Sequence, residues 1–187
     1  MTQTTITPTI GAEAYNDFKQ FNKLSYNCIK YMMNNNELIW KLLKYTDPDA
    51  WNKANLTQEE KAALIYTGQA DSSKYNVYMD GKQPDVTMEE TTYVRIMPHY
   101  AVGLNRTIGF IEMDMEVFSH YHINHLSNYT TRVDTIAGEL LGLFNGVDVG
   151  GLGLLTFDTM ADQSSRLFQS GQIPFGGKQI IFGTHAA

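Results

Sequence analysis

Residues Thr107–Asn145 read TIGFIEMDMEVFSHYHINHLSNYTTRVDTIAGELLGLFN, and their hydrophobic period changes half-way. In the first half, Ile111, Met113, Met115, Val117 and Tyr121 alternate with Glu112, Asp114, Glu116, His120 and His122. A period of two puts these sets on opposite faces of a strand. The pattern therefore predicts a half-buried antiparallel strand. In the second half, Val133, Ile136, Ala137, Leu140, Leu141 and Phe144 recur at helical spacing, and Asn145-Gly146 supplies a stop. A long strand thus runs into an amphipathic helix whose apolar stripe must lie on a sheet.

Upstream, the chain reads as helices. Ala14, Phe18, Phe21, Ser25, Cys28, Ile29 and Met32 keep the helical period across Ala12–Met33. Asn34-Asn35-Asn36 interrupts it and offers a cap to a second helix, Glu37–Tyr45, which Asp47-Pro48 ends. Thr57 and Glu60 have capping-box spacing ahead of a third helix, with Gly68 as its expected C-terminal cap. Strands are predicted at Tyr75–Met79, at Thr92–Met97 closed by Pro98, at Leu152–Phe157 and at Lys178–Gly183. Asp80-Gly81, Gly103-Leu104-Asn105 and Gly150-Gly151 read as turns, and the stretch holding Arg166, Gln169 and Gln172 reads as polar loop.

The expected fold is α+β: N-terminal helices, then a mostly antiparallel sheet with one main amphipathic helix packed across it. Residues 1–11 are expected to be an extended arm. Residues 12–187 are expected to form one domain, with a helical part over 12–68 and a sheet-plus-helix part over 75–187.

The chain has 187 residues, 43% of them hydrophobic, enough for a substantial core. A net charge of -6 with scattered lysines and arginines counts against a general nucleic-acid binder. The single cysteine, Cys28, allows no intramolecular disulfide, which fits a reducing cytoplasm. It is expected to be a small buried hydrophobe. The Thr-rich start lacks the basic and apolar regions of a signal peptide, and no apolar run is long enough to span a bilayer.

Two clusters have the residue types that chemistry uses. His120 and His122 share a face of the expected strand, and His125 follows. A closed zinc site takes four ligands, and the lone cysteine is remote in sequence. The histidines are therefore read as a solvated or interface-facing strand end, with no metal and no cofactor. Glu112, Asp114 and Glu116 form an acidic stripe, which could supply an acid–base pair or hold a hard cation. No glycine-rich ligand loop adjoins them, so the expectation is a solvated strand face. No nucleophile elbow, P-loop, dinucleotide fingerprint or zinc-protease motif occurs, and no catalytic residue is assigned.

Three stretches carry a resemblance: ELIWKLLKYTDPDAW over 37–51, FIEMDMEVFSHYHI with HLSNYTTRVDTIAGELLGLFNG over 110–146, and the pair GLGLLTFD and GKQIIFG near the C-terminus. In layout the chain resembles the neck proteins of tailed bacteriophages, above all the tail-terminator or tail-completion proteins. The three N-terminal helices exceed what a minimal terminator needs, which leaves a head-side adaptor or stopper as an alternative. The resemblance implies a structural virion protein and no catalysis. Such proteins form rings, commonly hexamers, that cap the tail tube and dock it to the head connector while DNA passes through without specific binding. It also implies assembly in the bacterial host cytoplasm, with no membrane partner. Glu112, Asp114 and Glu116 would then be channel-facing or interface residues, since an acidic lumen repels phosphate. The competing reading is a small cytoplasmic enzyme or ligand-binding domain built on the histidines and the acidic face. A DNA-binding accessory protein is a third, which the net charge counts against.

Overall fold

The computed structural model describes residues 12–68, 74–79, 90–103, 109–150, 153–163 and 175–186. The expected arm over 1–11, the turns at 80–81 and 150–151, the tip of the 103–105 turn and the polar loop over 164–174 fall partly or wholly outside these residues.

Helix α1 spans Ala12–Asn35, and Leu24, Cys28, Ile29 and Met32 on one stripe are buried. Burial pushes the Cys28 thiol up to about 12, so it stays a neutral apolar group. Helix α2 spans Leu38–Lys44. The Asn36 side chain starts it, accepting the Ile39 N–H at 2.9 Å, and its amide donates to Glu139 at 2.6 Å. The buried Trp40 indole N–H donates to the Met32 carbonyl near the end of α1. A single 3-10 turn, Ala50–Asn52, follows. Helix α3, Gln58–Ala63, opens with the expected capping box between Thr57 and Glu60. Buried Lys61 pairs with Glu37 at 2.7 Å and donates to the Met33 carbonyl, joining α3 to both preceding helices. The helix ends at Leu64, before Gly68. The Leu64 carbonyl instead accepts from Asn76 and Val77, and Tyr66 donates to Val77, so the chain leaves the helix to meet the sheet.

The sheet has six strands: β1 (Val77–Tyr78), β2 (Thr92–Gly103), β3 (Gly109–His120), β4 (Val147–Asp148), β5 (Leu154–Asp162) and β6 (Phe175–Ala186). Their spatial order is β1-β2-β3-β6-β5-β4, antiparallel throughout except for the parallel pair β1–β2. The α+β architecture with a mostly antiparallel sheet is as expected. Pro98 does not close β2. Pairing with β1 stops at Arg95, so among the described residues no strand pairs with β2 at Pro98 on that side, and the ladder shifts register between Pro98 and Tyr100. A missing N–H is tolerated at such a place.

One sheet face carries Val94, Ile96, Ile111, Met113, Met115, Val117, Ile180 and Phe182 into the core. Helix α5, Arg132–Phe144, crosses that face with Val133, Ile136, Ala137, Leu140 and Phe144 buried and Leu141 partly buried. Thr131 caps it, accepting the Asp134 N–H. Gly146, at φ 78°, takes the chain out of the helix as expected. Between β3 and α5 lies a one-turn helix α4, Tyr121–Asn124. This corrects the expected strand: it ends at His120, and Tyr121 and His122 belong to the turn. The His122 N–H is taken by His120 Nδ1 at 3.3 Å rather than by a neighbouring strand. No described helix is long and apolar enough to cross a membrane.

Candidate functional site

The sheet face away from α5 is built by the alternate residues of the same strands. Glu116 lies opposite Arg95 on β2 and Gln179 on β6, and Phe118 lies opposite Tyr93 and Gly177. Tyr66, Tyr78, Tyr93 and Phe118 form a buried aromatic cluster there, with Tyr93 stacked on Phe118 at 5.0 Å between centroids. Gly177 leaves room for the Phe118 ring: a Cβ at that position would lie 2.8 Å from its Cδ1.

Beside the aromatic cluster runs a polar strip. Glu116 forms an ion pair with Arg95, whose guanidinium sits over the Phe118 ring at 5.3 Å. Gln163 donates to Gln179 at 2.5 Å, Gln179 donates to Asp114 at 2.9 Å, and His99 approaches the same Asp114 oxygen at 3.0 Å. Asp114 is 2% exposed and Glu116 8% exposed, while Glu112 is half-buried. The expected solvated acidic stripe is thereby corrected for two of its three members. Alternation gave the shared face correctly, but Asp114 and Glu116 at its centre are buried as well. Burial raises the Glu116 carboxyl above its ordinary range, the Arg95 charge opposes that, and the Asp114 charge adds to it.

The second cluster lies where β3 ends. His120 is buried and His122 exposed, with ring centroids 4.9 Å apart. Glu90, two residues before β2, joins them: its Oε1 is 3.0 Å from His122 Nδ1. The strand register brings it there, because Thr92 pairs with Ser119 and the His120 N–H donates to the Thr91 carbonyl. Burial, then the neighbouring His122 charge, lowers the His120 pKa. Alongside is a cleft of about 200 Å³ lined by Tyr45, Thr46, Asn76, Glu90, Thr91 and Ile123 among others. Exposed Tyr121 makes edge contacts with His122 and His125. Glu90 was not singled out in the sequence. Its signal was its place just ahead of a strand that pairs with the histidine strand.

A third polar centre holds the helical layer to α5. Arg132, fully buried, donates only to carbonyls: Nε to Ile123, Nη1 to Leu42 and Tyr45, Nη2 to Thr46 and Asp47. The last four belong to the end of α2 and the residues after it, where unpaired carbonyls and the helix dipole favour a cation.

The YomW family model matches residues 36–182 of the chain. The chain belongs to the YomW family. The YomW span opens at Asn36, the residue that caps α2, and runs into β6. It contains Arg132 with its carbonyl partners, the Arg95–Glu116 pair and the Glu90–His120–His122 cluster, and it omits α1. No curated protein matches the chain.

Proposed function

We propose that this YomW-family chain is a non-catalytic structural subunit of a tailed-bacteriophage neck. It forms a closed ring of the tail-terminator kind that caps the tail tube and joins it to the head connector. The observation that carries the reading is the edge of β5. Only Leu154 and Leu155 pair with β4; from Thr156 to Asp162, no described strand pairs with β5 on the side away from β6. Phe157 and Met160, 38% and 44% exposed, stand on this strand, with Leu154 at 60%. A long edge with exposed apolar side chains is a template for another chain. A second copy placed head-to-tail extends the contact into a ring if the rotation closes. The resemblance of the sequence to phage neck proteins supports a phage origin, as does a family name resembling that of a phage-region gene product. Of the three carboxylates that would face a channel or an interface, Glu112 alone keeps enough exposure to meet a lumen or a neighbouring copy.

Sedimentation velocity and negative-stain imaging of the full chain test the reading. A discrete ring, abolished by Met160→Lys with the monomer still folded, is expected. A wild-type monomer across micromolar concentrations, or rings indifferent to charge on β5, would remove it.

A further inference from the structure

One imidazole nitrogen from His120, one from His122 and one carboxylate oxygen from Glu90 lie within 4.8 Å of one another. Around an ion with bonds of about 2.0–2.2 Å, neighbouring ligand atoms are about 3.0–3.5 Å apart. The His122–Glu90 pair already meets that spacing at 3.0 Å. The third ligand needs only a small closure, and the backbone beneath is fixed. The His120 N–H is bonded to the Thr91 carbonyl at 3.0 Å. The Thr92 and Ser119 hydroxyls meet at 2.9 Å, and the Asn76 amide holds the Thr92 carbonyl at 2.7 Å. The side chains of Glu90 and His122 are 53% and 66% exposed, so they can turn toward an ion without disturbing the core.

We propose that Glu90, His120 and His122 bind one divalent first-row transition-metal ion. Two imidazoles and one carboxylate suit zinc, iron, nickel or copper rather than calcium or magnesium, which prefer all-oxygen shells. Three protein ligands leave coordination positions open, and the exposure of Glu90 and His122 puts those positions toward solvent. Water, or a donor from a bound partner, completes the shell. The ion replaces the hydrogen bond between His122 Nδ1 and Glu90 Oε1, any proton on Nδ1 passing to solvent, and takes over the link between the start of β2 and the turn after β3. This inference does not rest on the phage-neck reading and survives if the chain forms no ring.

The test is a calorimetric titration of zinc chloride into the full chain after chelator treatment, with the same titration on three variants. Wild type is expected to take up one equivalent. His122→Ala and Glu90→Gln, both at exposed positions, are each expected to weaken binding at least about tenfold. Their melting curves without metal should match wild type. His99→Ala, at an exposed histidine that pairs with Asp114 instead, is expected to leave the affinity unchanged. No saturable one-to-one binding, or unchanged affinity in either cluster variant, would overturn the site. A loss in His99→Ala as large as in His122→Ala would do the same.

Discussion

Arg132 Nη1 donates to the Tyr45 carbonyl at 2.7 Å, across 87 residues of sequence. The first residue of α5 thereby closes the end of α2, and the guanidinium spends its remaining donors on Leu42, Thr46, Asp47 and Ile123. Burial lowers its pKa to about 10, which still leaves it charged at neutral pH. The fork geometry matters as much as the charge, because a lysine cannot reach carbonyls in several directions at once.

Arg132→Leu is expected to cost about 3–5 kcal/mol, since it strands several buried carbonyls. Arg132→Lys should recover less than half of that loss. Urea melts of the three proteins check it; a lysine variant as stable as wild type would mean that charge alone sufficed.

Leu140, fully buried under the sheet, tests the packing of α5. Leu140→Ala is expected to cost about 2–5 kcal/mol in the same melts. Leu141→Ala should cost less, because that side chain is only partly buried.

The pair Arg95–Glu116 is buried on the second face. Arg95→Met alone should lose about 3–5 kcal/mol by stranding a buried carboxylate, while Arg95→Met with Glu116→Leu should be close to wild type. A double variant as unstable as the sum of the singles would show that the pair does not act as a unit.

Glu116 also sets a pH dependence. Its folded pKa is raised above the ordinary carboxylate range, chiefly by burial, so the folded state holds its proton more tightly than the unfolded chain. Its contribution is therefore fully present below the ordinary carboxylate range and is lost as pH rises through the raised value. The stability of wild type relative to Glu116→Gln should fall over that interval. A difference that grows with pH would reverse the sign and make the Arg95 charge dominant.

Gly177→Ala should cost about 1–3 kcal/mol by overpacking, because its Cβ would meet a Phe118 ring held against Tyr93. Adding Phe118→Leu should make the glycine substitution much cheaper. Equal costs in both backgrounds would place the strain elsewhere.

The sequence by itself determined the local elements. The period-two run over Ile111–Val117 and the helical stripe over Val133–Phe144 each bury one face, whatever the rest of the chain does, so α+β was legible from them. The Thr57–Glu60 capping box and the Asn36 cap were equally local, since side chain and backbone partner lie three residues apart. His120 and His122 misled because a period of two continues through a residue pair whether the backbone stays extended or turns, and only the hydrogen bond from the His122 N–H chose the turn. The tertiary structure alone decided that Asp114 and Glu116 are buried, because their partners Gln179 and Arg95 come from the strands on either side. It alone brought Glu90 to the histidines, because strand register joins it to His122 across 32 positions. It alone gave Arg132 its carbonyls, for no periodicity marks a cation whose partners are backbone atoms of a distant helix end.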